Sequence, residues 1–232
     1  MTGKRGAPRT GPRIGQCTGL LGGSFNPAHR GHRRISLFSL EKIGLDEVWW
    51  LVSPGNPLKP ARAMAPLASR FASARKQARR APIRVTAIER QLGTRYTVDT
   101  LRKLLRRFPK RRFVWLMGAD NLAQFEMWRD WRGIARLLPI AVIARPGYDR
   151  AAFASPAMAW LRRFRMPAAS LCNRAGWSAP ALITLRFDPD TRSATEIRRA
   201  DPHWSRRFPL KALRDEVTRH SISRDRRSMD PA

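Results

Sequence analysis

Leu20-Leu21-Gly22-Gly23-Ser24-Phe25-Asn26-Pro27-Ala28-His29-Arg30-Gly31-His32 is the stretch on which the reading of this chain turns. Just before it, Cys17 to Leu21 is a short apolar run interrupted by Thr18 and Gly19, the pattern of a buried strand. Just after it, Ile35, Leu37, Phe38, Leu40 and Ile43 recur with helical spacing over Arg33 to Ile43. A strand, a glycine-bearing turn and a helix N-terminus in that order make an anion site. Glycine lets the backbone approach a phosphate, and the unpaired N–H groups and dipole of the first helical turn favour negative charge. His29 and His32, three apart around Gly31, can reach one ligand from that turn. A phosphate cradle with two imidazoles points to nucleotide chemistry. Two other readings stand beside it. The pair can be helix-start histidines with solvent-facing rings, or two ligands of a metal that would want a further Cys, His or carboxylate.

Strand and helix signals alternate along the rest of the chain. Strands are expected at Cys17–Leu21, Glu47–Val52, Ile83–Ile88, Phe113–Met117, Ile140–Ala144 and Ala181–Arg186. Helices are expected at Arg33–Ile43, Pro66–Arg79, Val98–Phe108, Trp131–Leu138 and Ala151–Phe164, with a loop over Pro167 to Pro180. Short apolar strands separated by helices are what a parallel sheet covered on both faces requires. The expected fold is therefore α/β, a Rossmann-like open, mainly parallel sheet with helices on both faces. Its site should lie at the carboxyl ends of the strands. The expected layout is a mobile basic extension over residues 1–15, one domain over 16–200, and a helical and basic extension over 201–232.

The 232 residues suffice for a stable core. Cys17 and Cys172 give no disulfide framework, which favours a reducing cytosol. No apolar run approaches the roughly 20 residues that span a bilayer, and Met1 to Arg13 lacks the apolar segment of a secretory signal. The expected location is cytoplasmic, with no membrane partner. A net charge of +29 invites a nucleic-acid hypothesis. The excess is nearly all arginine spread through every segment, however, as GC-rich coding produces, so no specific nucleic acid is expected. Such charge would still steer anionic nucleotides inward.

Four later constellations fall at the expected carboxyl edge. Ser53-Pro54-Gly55-Asn56-Pro57-Leu58-Lys59 places a lysine on the loop after the second strand, either as a phosphate point charge or as a plain exposed residue. In Gly93-Thr94-Arg95-Tyr96-Thr97-Val98-Asp99-Thr100, Thr97 reads as a helix N-cap and Asp99 suits the first turn. That account leaves an exposed Tyr96 unexplained. In Gly118-Ala119-Asp120-Asn121-Leu122-Ala123-Gln124-Phe125-Glu126-Met127-Trp128, Asp120 either accepts bonds from ribose hydroxyls or caps a helix. Trp128, in polar surroundings, offers a face for stacking a flat heteroaromatic ring. Ser193-Ala194-Thr195-Glu196-Ile197-Arg198 offers hydroxyls and an arginine to a triphosphate, and is equally an ordinary capping box.

Together these pieces resemble the bacterial nicotinate-nucleotide adenylyltransferases, within the H-x-G-H nucleotidylyltransferase superfamily. The resemblance runs from about Leu20 to Arg199. It rests on Gly22 to Pro27, His29-x-Gly31-His32, Gly55 to Lys59, Tyr96 to Leu101, Gly118 to Phe125, Trp128, Trp131, Arg145-Pro146-Gly147-Tyr148 and Ser193-x-Thr195-x-x-Arg198. The Gly118 block and Arg145-Pro146-Gly147 distinguish this family from relatives that act on pantetheine phosphate or glycerol phosphate.

The resemblance implies transfer of the adenylyl group of ATP to nicotinate mononucleotide, giving nicotinate adenine dinucleotide and pyrophosphate. It implies that His29, His32 and Arg198 act at the phosphates. Gly22, Gly23, Ser24, Phe25, Lys59, Ser193 and Thr195 would complete the ATP site. Tyr96, Thr97, Asp120, Trp128 and Arg145 would take the mononucleotide. The attacking phosphate monoester is already mostly dianionic at neutral pH, so no protein base is needed. Mg²⁺ is expected to ride on ATP oxygens and waters, with no protein metal site. Two departures from the family pattern are Ala194, where a second serine is common, and the lack of a histidine beside Lys59. Transfer onto nicotinamide mononucleotide, and nucleic-acid binding on the same fold, are the alternatives. Oligomeric state is left open.

Overall fold

A computed structural model describes residues 15–55, 64–144, 149–172, 177–187, 193–208 and 213–222. Six strands form one parallel sheet: β1 (Cys17–Gly23), β2 (Glu47–Val52), β3 (Ile83–Thr86), β4 (Arg112–Gly118), β5 (Ile140–Ala144) and β6 (Leu182–Arg186). Their order is β3-β2-β1-β4-β5-β6, so the direction of winding reverses between β1 and β4. That reversal opens the crevice in which such sheets bind ligands.

Ten helices connect and cover the strands among the described residues. These are α1 (Arg30–Ile43), α2 (Leu67–Ala78), α3 (Ile88–Leu92), α4 (Thr97–Arg107), α5 (Ala119–Leu122), α6 (Trp131–Leu137), α7 (Asp149–Phe153), α8 (Pro156–Leu161), α9 (Ala168–Cys172) and α10 (Ala194–Ala200).

The strands alternate their side chains between two cores. Leu21, Trp50, Val85, Leu116 and Ile143 pack beneath α1, α2 and α9. Leu20, Trp49, Leu51, Trp115 and Val142 face the other way, with residues of α3, α4, α6 and α8. Trp49 and Trp50 are adjacent yet fully buried on opposite faces, and each stabilises by about 3 kcal/mol. This two-sided burial is why the strands read as continuous apolar runs.

Several local expectations are corrected. The third strand ends at Thr86, not Ile88, because Thr86 Oγ1 accepts a bond from Ile88 N and turns the chain into α3. The helix expected over Ala151–Phe164 is three pieces. Ser155 caps a new helix, with Pro156 in its first turn, and a 3-10 turn covers Arg162–Phe164. The Pro167–Pro180 loop contains α9. Thr97 is not the cap of α4: the N-cap is Tyr96, whose side chain makes no capping bond. The described residues of the C-terminal extension, expected to be helical, form a 3-10 turn at Trp204–Arg207 and a two-stranded hairpin, β7 (Leu213–Arg214) with β8 (Ser221–Ile222). Most of the residues expected to be mobile lie outside the described residues.

The hairpin grips the sheet edge. Asp215 is fully buried and accepts bonds from Thr86 Oγ1, Ala87 N, Val217 N and Thr218 N. Glu216 accepts from Val85 N at 2.8 Å and pairs with Arg75 of α2 at 3.0 Å. The edge strand β3 is thereby covered, which blunts its tendency to pair with other chains.

Candidate active site

The carboxyl edge between β1 and β4 gathers the motifs. His29 is the N-cap of α1, and its Nδ1 accepts from Gly31 N at 3.2 Å. His32 returns the arrangement, its Nδ1 accepting from His29 N at 3.2 Å. The pair is thus a capping box built from two imidazoles. Because both Nδ1 atoms accept, each neutral ring carries its proton on Nε2, a donor suited to a phosphate oxygen. The rings are 4.0 Å apart between centroids. No acidic residue occupies the first turn of α1, so the positive end of its dipole is not offset locally.

The loop beneath is shaped by Phe25, whose φ of 47° is unusual for a bulky residue. Its buried ring stacks on Trp50 at 5.1 Å and underlies His32 at 4.8 Å. Trp50 Nε1 donates to Ser36 Oγ, which donates to His32 O, so β2 also supports the start of α1. At the far end of the chain, Arg198 Nη1 donates to Asn26 O at 2.6 Å, and Nη2 donates to Thr195 Oγ1. The last motif is therefore seated on the first. Ser193 and Glu196 form the reciprocal box that their spacing also allowed, which fixes α10.

Gly22 has a packing role the sequence did not disclose. A Cβ there would lie 2.6 Å from Trp115 Cη2, whereas one at Gly23 would meet Phe25 at an ordinary 3.5 Å. Trp115 in turn makes an edge contact with Trp128 at 6.2 Å. Phe125 buttresses Trp128 from another side at 5.4 Å, leaving the indole half-buried after its 3-10 turn. Asp120 does not cap α5. The N-cap is Gly118, and the Asp120 carboxylate is exposed, tucked against the space Gly118 leaves. Tyr96, expected exposed, is half-buried beneath Arg129. Lys59 and Arg145 lie outside the described residues.

A family model described as cytidylyltransferase-like matches residues 20–200. A relative from Erythrobacter litoralis, named "Probable nicotinate-nucleotide adenylyltransferase", is 69% identical over 209 residues, covering 90% of this chain and 95% of its own. One of the same name from Bradyrhizobium sp. (strain BTAi1) is 48% identical over 186 residues, covering 80% and 97%. The chain belongs to the nicotinate-nucleotide adenylyltransferase family. Among solved structures, Plasmodium falciparum nicotinic acid mononucleotide adenylyltransferase complexed with NaAD superposes with a TM-score of 0.59 at 14% identity, over 79% of this chain and 83% of that one. That likeness supports the fold.

Three polar groups of this adenylyltransferase went unread in the sequence. Arg70 of α2 is 1% exposed and donates to the main-chain carbonyls of Ser24, Ser53, Pro54 and Ala65. Its signal was available: a charge among Leu67, Phe71 and Ala74 on the apolar face of a helix. Glu89, half-buried beside it, has its carboxyl pushed up to about 7 by burial, against the pull of a Ser53 hydrogen bond and the Arg70 charge. Arg129 bridges the Tyr96 loop and the Trp128 segment. Its guanidinium lies over Tyr96 and 3.6 Å from Asp99, while Arg102 ties Asp99 to Asp130.

Proposed function

We propose that this chain transfers the adenylyl group of ATP to nicotinate mononucleotide, in the family's reaction of NAD biosynthesis, and does so in the cytoplasm. The observation that carries the mechanism is the seating of Arg198 on Asn26, which brings a guanidinium to the loop that precedes the two imidazoles.

The triphosphate lies across the N-terminus of α1, with the Nε2 donors of His29 and His32 directed at its oxygens. His32 stabilises the charge that develops at the α-phosphate, and Thr195 and Arg198 hold the outer phosphates. Gly22, Gly23, Ser24 and Phe25 form the floor of the ATP site, with Ser193 at its outer end, and Lys59 assists in binding the phosphates. The mononucleotide takes the other side of the β1–β4 crevice. Trp128 stacks on its pyridine ring, N–H groups at the start of α4 near Tyr96 and Thr97 receive its carboxylate, and Asp120 binds its ribose. Arg145 adds a contact to that substrate.

The nucleophile is the substrate's own phosphate, so the protein aligns and stabilises rather than moving a proton. Among the described residues no three His, Cys, Asp or Glu side chains are grouped to hold a metal ion. Mg²⁺ enters with ATP, riding on its phosphate oxygens as part of the substrate.

The test is pyrophosphate release with ATP and Mg²⁺, comparing nicotinate mononucleotide with nicotinamide mononucleotide. A strong preference for the acid is expected. Preference for the amide would reassign the specificity, and silence with both would overturn the reading.

A further inference from the structure

The loop carrying Phe25 is held from α2, outside the family motifs. Arg70 Nη1 donates to Ser24 O at 2.8 Å and to Ser53 O at 2.7 Å, so one nitrogen spans the loops that leave β1 and β2. Nη2 donates to Pro54 O and Nε to Ala65 O. One turn on, Ser73 Oγ accepts from Ala28 N, the residue before His29, and the Asn26 side chain accepts from Ala65 N. The segment Ser24–Ala28 is thus gripped at three points by α2 and its lead-in.

Phe25 needs this grip. A bulky residue at φ 47° persists only where its surroundings over-determine it. Its carbonyl neighbours are fixed by two cations, Arg70 on Ser24 and Arg198 on Asn26. The consequence is the placement of its ring between Trp50 and His32. Removing a guanidinium that satisfies four main-chain carbonyls would strand those acceptors, so the contact contributes stability as well as position. What a planar fork of donors supplies is a fixed angle between several acceptors, and a lysine cannot reproduce that.

We propose that Arg70 is a positioning residue of this active site: it locks the Ser24 and Ser53–Pro54 carbonyls in register and so holds Phe25 beneath the His32 imidazole. The structural half of this claim stands on the contacts above. Its catalytic half rests on the function proposed in the preceding section.

The test uses Arg70→Lys in the full chain, with thermal melting to establish folding. The chain has four histidines, so each imidazole can be followed by NMR. In folded Arg70→Lys, the His32 ring resonances should move by more than a linewidth as the Phe25 and Trp50 ring currents change. Those of His203 and His220 should stay in place. In parallel, kcat should fall about tenfold or more while KM for the mononucleotide is unchanged. Unmoved His32 resonances in a folded variant would overturn the proposal whether or not the protein turns over substrate. An inactive wild type would sink the functional reading alone. If Arg70→Lys does not fold, Phe25→Leu, which nearly conserves volume, tests the last link. A reduced kcat supports it, and wild-type kcat refutes it.

Discussion

The guanidinium carbon of Arg129 lies 4.7 Å from the centroid of the Tyr96 ring. This contact joins the loop before α4 to the segment that presents Trp128, the two walls between which the pyridine ring is proposed to sit. Exposed cation–π contacts contribute about 0.5–1 kcal/mol. Arg129→Ala should therefore raise KM for the mononucleotide about two- to fivefold and leave KM for ATP unchanged. Equal shifts in both constants would show that the walls do not act together.

The two imidazoles can be separated by their bonds. His29→Ala removes the α1 cap and should cost about 1 kcal/mol, whereas His29→Asn keeps an N-cap acceptor and should melt close to wild type. Both lose the Nε2 donor, so both should lose turnover. His32→Ala should lower kcat about 10²–10³-fold with a modest stability change. Melting curves and steady-state rates on the three variants decide it. Full activity in folded His32→Ala would remove His32 from the chemistry.

Gly22 and Gly23 are neighbours in one motif but should respond oppositely to a methyl group. Gly22→Ala drives a Cβ into the Trp115 ring, costing about 1–3 kcal/mol and displacing Trp128. Gly23→Ala meets only ordinary contact and should be near neutral for stability. Urea unfolding together with mononucleotide KM reads both effects. Similar losses at the two positions would contradict the packing role.

Glu89 predicts a pH-dependent stability term. Its carboxyl titrates at about 7 in the fold against 4.5 in the free residue, so the folded state binds the proton more tightly than the unfolded chain. The favourable contribution is complete below about 4.5 and disappears as the pH rises through 7. Glu89→Gln, which is neutral throughout, should match wild type at low pH and exceed it by about 1–3 kcal/mol above pH 8. Parallel stability curves across that range would refute it.

Asp215 should be the most sensitive residue of the C-terminal hairpin. Truncating a buried carboxylate that accepts four bonds strands Thr86 Oγ1 and three N–H groups. Asp215→Ala should destabilise by about 3 kcal/mol or more. Amide exchange at Ala87 and Ile88 should quicken first, because α3 begins there; uniform protection would deny the clasp.

The sheet was legible in the sequence because burial on both faces leaves runs such as Glu47–Val52 and Ile140–Ala144 with one reading. The histidine pair was legible for a different reason, since a capping box and a phosphate cradle ask for the same spacing. What escaped were features that local pattern cannot encode. The turn at Thr86 depends on Asp215, 129 residues away, and the need for Gly22 depends on a tryptophan of another strand. Arg70 stood on the apolar face of its helix, a hint of burial easily lost in a chain with dozens of cations, and its carbonyl partners at Ser24, Ser53 and Pro54 come from distant loops that local pattern does not name. Ser193-x-x-Glu196, by contrast, admitted two readings, and the structure realises the capping one without removing Thr195 or Arg198 from the site.

The hairpin clasp has a consequence for the making of the protein. A ribosome releases Ile83 to Leu92 long before residues 213–222, so the edge strand and the start of α3 wait for their partner while the intervening sheet and helices are made. During that interval Val85 N and Ala87 N lack the acceptors they hold in the finished molecule. The loop that leads to Tyr96 therefore takes its final setting only once residues 215–218 have emerged, and a polypeptide stopped short of them would carry the histidine pair without a settled second wall.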